Sequence, residues 1–100
     1  MATEKLNQAQ RKQALDDLNA GLDNPWAIED EKLTNAFEFE DFVKAFSFMT
    51  GVAMEAEAMN HHPEWSNVWN QVDIALTTHE VGGISELDFD LAAKIEALRS

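Results

Sequence analysis

Apolar positions in the first forty residues follow a helical spacing and then a strand-like one. Asn7 and Gln10 have the spacing of a capping box, which predicts a first helix over about residues 8–20. Between residues 26 and 40 the apolar spacing changes to two, with a polar segment at residues 29–32. We therefore expect a β-hairpin after the first helix, with its turn in that polar segment.

Residues 41–60 carry two apolar stripes at helical spacing, which predicts one long helix. The first stripe is Phe42, Phe46, Met49, Ala53 and Ala56, and the second is Ala45, Phe48, Val52 and Met59. A small domain can hardly cover both sides of one helix with its own chain, so we expect the second stripe to contact another subunit. The alternative is a helix that is merely rich in small apolar residues.

Strict alternation over residues 67–79 predicts strand structure, with Val68, Val72, Ile74 and Leu76 on one face. Asn70 and Gln71 could form a two-residue hairpin turn, because Asn tolerates positive φ. One continuous strand is the alternative. A Gly-containing loop is expected at residues 80–84.

The last segment begins with Ser85 and Asp88 at a capping spacing and continues with apolar residues every three to four positions, which predicts a final helix. The resulting order is αββαββα, without alternating βαβ units. We expect a single α+β domain over residues 1–100, with a four-stranded antiparallel sheet packed on one face by three helices.

The charge balance excludes several partner classes. Seven Lys and Arg residues against nineteen Asp and Glu give a net charge of -12, which disfavours direct binding to nucleic acid or to an anionic membrane. No basic residue lies between Lys44 and Lys94, an interval that contains all three histidines. A site built from them is therefore expected to lack a cationic clamp and to take a ligand without a phosphate or carboxylate group.

The chain has no cysteine, which excludes disulfides, thiol nucleophiles and Cys-type zinc sites. It has no apolar run of membrane-spanning length, no basic-then-apolar signal pattern and no lipidation motif. These features predict a cytoplasmic protein.

Candidate chemistry concentrates at the histidines. His61 and His62 are expected at the end of the long helix, where the negative end of the dipole favours an imidazolium, and His79 at the end of a later strand. Glu57, one turn before His61, could hydrogen bond to its ring. Pro63 disfavours helical geometry at His62, so the two rings should diverge. Three imidazoles at one locus would suit acid–base catalysis on a small ligand.

Other interpretations of these residues stay open. One interpretation is that the histidines are isolated surface residues. A metal site is another, because Glu57 and His61 have an i, i+4 spacing and His79 could add a third ligand, although the motif H-E-x-x-H is absent. Asp88 is expected mainly to cap the last helix. Trp65 and Trp69 could wall a planar ligand, but strand aromatics are more often core.

The histidine region also carries a resemblance to a known family. The residues that agree in order and spacing are Glu57, His61, His62, Pro63, Asn67, Val68, the run Leu76 to Gly83, and Asp88, with Phe37, Phe39, Asp41 and Phe42 upstream. They resemble the pterin-4a-carbinolamine dehydratase family. The resemblance implies an enzyme that removes water from a 4a-hydroxytetrahydropterin and needs no metal or cofactor.

The resemblance also implies site residues. It assigns catalysis to His61, His62 and His79, with His61 and His79 transferring protons and His62 mainly positioning the substrate. The residues it implies for substrate binding are Glu57, Pro63, Thr78, Glu80 and Val81. Asp88 and Trp65 are expected to provide structural support.

Partners follow from the same resemblance. It implies a pterin substrate, a functional link to an aromatic amino acid hydroxylase, and assembly into a homodimer or homotetramer. Some family members act as dimerisation cofactors of a homeodomain transcription factor, which is the alternative function and would add a nuclear location.

Overall fold

The computed structural model describes residues 3–99 and contains three helices packed on a four-stranded sheet. The helices are α1 (Gln8–Asn19), α2 (Phe42–Met59) and α3 (Glu86–Arg99). The strands are β1 (Ala27–Glu29), β2 (Lys32–Glu38), β3 (Glu64–Val68) and β4 (Gln71–Leu76), and a 3-10 turn follows at His79–Val81. The sheet is antiparallel with the order β1-β2-β4-β3. The predicted αββαββα order and α+β fold are confirmed.

One face of the sheet forms the core, because alternate residues of the two central strands point toward the helices. Phe37 of β2 is paired with Val72 of β4, and Leu33 with Leu76. These side chains are at most 3% exposed. The helical residues buried against them are Ala45, Phe48, Val52 and Ala56 of α2 and Leu91, Ala92 and Ile95 of α3. The intervening strand residues therefore lie on an open face, away from the three helices described.

The orientation of α2 is opposite to the one expected. Phe48 and Val52, predicted to meet another subunit, are 7% and 0% exposed within the chain's own core. The ring of Phe48 packs 5.2 Å from that of Phe37 and 4.8 Å from that of Phe39. The prediction was wrong because spacing defines two apolar faces of a helix but does not indicate which of them the sheet covers.

The outward face of α2 retains large apolar side chains. Phe42 and Phe46 are about half exposed, with ring centroids 5.8 Å apart, and Val43 and Met54 are each 70% exposed. Among the helices of residues 3–99, none is both long enough and apolar enough to cross a membrane.

The two hairpins are confirmed, with one shift of register. Asp30 and Glu31 both have positive φ in the β1–β2 turn. In the second hairpin Val68 is paired with Gln71, so the turn is formed by residues 69 and 70 rather than 70 and 71. Val68 consequently shares the open face with Gln71 and is 76% exposed, not aligned with Val72 as the alternation suggested.

Candidate active site

The side chains of His61 and His62, which follow the end of α2, point in different directions. Asn60 adopts a left-handed conformation with φ of 53°, and its amide closes the helix on the carbonyls of Ala56 and Glu57. The amide of His61 then donates to the Ala56 carbonyl at 3.0 Å. This reversal turns the His61 side chain inward, to 8% exposure, and leaves that of His62 56% exposed. The predicted divergence of the two rings is confirmed.

His61 contacts a buried carboxylate from α3. Its Nε2 lies 2.6 Å from Oδ1 of Asp88, which is fully buried. The second Asp88 oxygen, Oδ2, accepts from Thr78 Oγ1 and from the Ser85 amide, both at 2.9 Å. The Thr78 and Ser85 hydroxyl oxygens are 2.7 Å apart. A carboxylate in this position is costly to bury without partners, and here both oxygens are satisfied.

The geometry leaves one ring nitrogen of His61 free for chemistry. Asp88 occupies Nε2, and no side-chain hydrogen bond formed within residues 3–99 involves Nδ1. No buried side-chain nitrogen or oxygen in residues 3–99 lacks a partner, so Nδ1 retains contact with solvent. An oriented imidazole with one nitrogen on a buried carboxylate and the other accessible can donate or accept a proton.

Asp88 was expected to cap α3, and it does so through the Ser85 amide. Its contact with His61 was missed, because the two residues are 27 positions apart and only tertiary packing joins them. A signal was present in the sequence. Asp88 lies on the same helical face as Leu91 and Ile95, and a carboxylate within a buried apolar stripe requires a partner.

Glu57 does not contact His61. Its Oε1 lies 2.9 Å from Nε2 of His62, and both side chains are largely exposed. The expected pairing was wrong because the left-handed residue Asn60 turns His61 away from the surface of α2 that carries Glu57.

His79 occupies the first position of the 3-10 turn after β4 and is 79% exposed. Its Nε2 lies 3.1 Å from Oε2 of Glu64, whose Oε1 lies 2.6 Å from Nζ of Lys32. The Lys32 hydrogen bond, together with the charges of Lys32 and His79, holds the pKa of the Glu64 carboxyl below its usual value against a smaller desolvation effect. Lys32 therefore lies beside the carboxylate that contacts His79, although no basic residue is close to the histidines in sequence, because sheet pairing brings it across from a distant part of the chain.

The segment after β4 folds into a closed loop. The amide of Thr78 donates to the Gly83 carbonyl at 2.8 Å, and the Val81 amide donates to the Thr78 carbonyl at 3.1 Å. The hydroxyl of Thr78 is already bonded to Asp88. The amides of His79 and Glu80, at the start of the turn, have no partner within it.

The remaining sequence-derived residues divide between the surface and the core. Glu80 is exposed, and Pro63 and Val81 are partly buried. Trp65 packs against the hydrophobic core, whereas Trp69 is 65% exposed at the tip of the second hairpin. The pair was considered as walls for a planar ligand, but the two side chains occupy different environments.

Two contacts bring the histidine segments together. Asp88 joins His61 to Thr78, and Glu64 joins the neighbouring strand to His79. Each histidine takes a different carboxylate, and in residues 3–99 no group of three or more His, Asp or Glu side chains is arranged to hold a metal ion. The Glu57, His61 and His79 ligand set considered from the sequence is not brought together.

Comparison with known proteins gives a consistent result. The family model described as "Pterin 4 alpha carbinolamine dehydratase" matches residues 4–98. A protein of Solibacter usitatus, provisionally named pterin-4-alpha-carbinolamine dehydratase, is 49% identical over 96 residues, which cover 96% of each chain. A protein of Rhizorhabdus wittichii with the same provisional name is 49% identical over 100 residues, covering 98% of each. The crystal structure of a transcriptional coactivator/pterin dehydratase from Brucella melitensis superposes with a TM-score of 0.87 at 39% identity, over 97% of this chain and 100% of that one.

Proposed function

Because the chain belongs to the pterin-4a-carbinolamine dehydratase family, we propose that it converts a 4a-hydroxytetrahydropterin into a quinonoid dihydropterin and water. The observation that carries the proposal is the buried Asp88–His61 pair, joined through Thr78 to the loop that presents His79. This arrangement supplies an oriented imidazole and a second, exposed one on an adjacent segment.

The reaction requires two proton transfers. The bond between C4a and the hydroxyl oxygen breaks, and the oxygen leaves as water after receiving a proton from an imidazolium. The lone pair of N5 forms the new double bond to C4a, and N5 then loses its own proton to a base. Every atom and electron is accounted for by the substrate and the two proton-transfer groups, so acid–base catalysis suffices.

His61 and His79 are the proposed proton-transfer residues. The carboxylate of Asp88 orients the His61 ring through Nε2, and Nδ1 is the nitrogen that would face the substrate. His79 has an accessible ring on the neighbouring loop. We assign protonation of the leaving hydroxyl to one of these rings and removal of the N5 proton to the other.

His62 and the loop are proposed to bind the pterin. His62 is held by Glu57 at the surface and is assigned to positioning, with Pro63 beside it. The amides of His79 and Glu80, which have no partner within the turn, can donate to the carbonyl edge of the pterin, and Val81 lies next to them. Thr78 contributes through its hydrogen bond to Asp88, which fixes the start of the loop.

Substrate supply and assembly complete the proposal. An enzyme that hydroxylates an aromatic amino acid with a tetrahydropterin leaves the 4a-hydroxy compound, so we place the protein beside such an enzyme in the cytoplasm.

We also propose that the protein forms a homodimer or homotetramer. Its support is the exposed face of α2, where Phe42, Val43, Phe46 and Met54 would each gain from burial.

The test is formation of quinonoid dihydropterin from a carbinolamine generated in the cuvette by a hydroxylase. Addition of the purified protein should increase the rate in proportion to its concentration. Prior dialysis against EDTA should leave this increase unchanged. A rate equal to the uncatalysed one would contradict the proposed function, and a loss restored by zinc would contradict the metal-free mechanism.

A further inference from the structure

Three polar side chains from three different elements meet on the open side of the sheet. Lys32 begins β2, Glu64 begins β3 and His79 begins the 3-10 turn. Glu64 lies opposite Ala75, which lies opposite Thr34, two residues after Lys32 on the same face. The short side chain of Ala75 leaves room for Lys32 and Glu64 to meet above β4, at 2.6 Å.

The two oxygens of Glu64 are divided between two partners. Oε1 accepts from Lys32 and Oε2 faces Nε2 of His79 at 3.1 Å. Within residues 3–99, Glu64 is the only carboxylate within ion-pair distance of His79, while Glu80 follows in the same turn. With Lys32 fixing one oxygen, the other has a defined position from which to hold the His79 ring.

We propose that Glu64 is a positioning residue for His79 and that Lys32 fixes Glu64 in that role. The inference rests on the proposed function, in which His79 exchanges a proton with the pterin. With Nε2 engaged by Glu64, Nδ1 is the nitrogen directed to the substrate, as it is at His61. Each proton-transfer histidine is thereby held by one carboxylate, buried for His61 and exposed for His79.

The exposure of His79, Glu64 and Lys32 determines which measurement can detect their pairing. His79, Glu64 and Lys32 are 79%, 41% and 38% exposed, and ion pairs in such positions contribute little to folding. Their loss should therefore lower the melting temperature only slightly. The effect should appear in kcat, because a ring free to rotate spends less time in the reactive orientation.

The activity test uses Glu64→Gln, Lys32→Gln and Lys32→Arg, with Lys94→Gln as the control for loss of a surface cation that pairs elsewhere, with Glu55. We expect kcat to fall about fivefold in Glu64→Gln and about twofold in Lys32→Gln, with KM within about twofold of wild type. Lys32→Arg should keep the wild-type kcat, because it keeps the cation. Lys94→Gln should also have the wild-type kcat.

A second measurement does not depend on dehydratase activity. Diethyl pyrocarbonate acylates unprotonated imidazole nitrogens, and peptide mass spectrometry resolves His79 from His62, which pairs with Glu57 instead. Acylation of His79 should be about threefold faster in Glu64→Gln than in wild type, with His62 unchanged. Equal His79 rates would overturn the pairing even if the protein proves inactive. An active wild type together with an unaltered kcat in Glu64→Gln would overturn the positioning role while leaving the proposed function intact.

Discussion

Replacing Asp88 with Asn removes a charge from the most buried part of the site with almost no change in volume. The carboxylate serves His61 through Oδ1, and Thr78 and the Ser85 amide through Oδ2. An amide has only one acceptor oxygen, so Asn cannot satisfy both sides. Either the Ser85 amide loses its acceptor, or His61 faces an NH₂ group and must present an unprotonated Nε2.

The expected loss of stability or of kcat can be estimated for each of the two orientations. An unsatisfied buried amide costs about 1–3 kcal/mol, and each kcal/mol lowers the melting temperature of a domain of this size by about 4–8 °C. The alternative orientation keeps more stability but disfavours the imidazolium, and we expect kcat to fall about 10²-fold because the catalytic proton is lost from His61. The first orientation also lowers kcat, because a neutral amide oxygen holds the His61 N–H less strongly than a carboxylate does, so both orientations impair function and one of them also impairs folding.

The assay combines thermal unfolding with dehydratase kinetics well below the melting temperature of the variant. Asp90→Asn is the matched control, because it removes a carboxylate from the exposed side of the same helix. It should keep both the melting temperature and kcat. An Asp88→Asn protein with wild-type kcat would refute the role of Asp88 in orienting His61, whatever its stability.

Three further outcomes follow from the structure. Phe48→Glu should unfold the protein, because Phe48 is buried in the core. Phe46→Glu, on the exposed face of α2, should remain folded by circular dichroism and sediment as a smaller species than wild type. A Phe46→Glu protein with the same mass as wild type would contradict the α2 interface. Gly82→Ala should cost about 1–2 kcal/mol by chemical denaturation, because Gly82 has φ of 71° with open space around it, and unchanged stability would contradict that backbone conformation. The Lys32 hydrogen bond lowers the pKa of Glu64, so the small contribution of this ion pair to folding stability is present above the usual pKa of 4.5 and is lost as the pH falls through the lower folded value. The melting temperatures of wild type and Lys32→Gln should therefore converge at that low pH. A difference that stays constant with pH would contradict the ion pair.

Local signals in the sequence predicted local structure well. The capping box of Asn7 and Gln10 is formed with both reciprocal hydrogen bonds, at 2.8 and 2.9 Å. The divergence of the two histidine rings was also predictable from a few consecutive residues, although the structure ends the helix at the left-handed Asn60 and not at His62 before Pro63. The order of elements followed from the same local periodicities.

Features set by tertiary packing were not predictable. Nothing near Phe48 indicates which side of α2 the sheet covers. The partners of His61 and His79 were missed for a similar reason, since Asp88 and Glu64 lie on other elements and are brought to these rings only by tertiary packing. A resemblance in the sequence identified the histidines, but only the fold revealed which carboxylate holds each ring.

The central claim is that His61 and His79 each transfer a proton, and the most direct test is the dehydratase rate of the two single Ala variants and the double variant. Each single variant should lose about 10²-fold or less in kcat, because the remaining histidine partly substitutes and the substrate also dehydrates unaided. The double variant should fall to nearly the uncatalysed rate while remaining folded. A double variant with wild-type kcat would contradict the account.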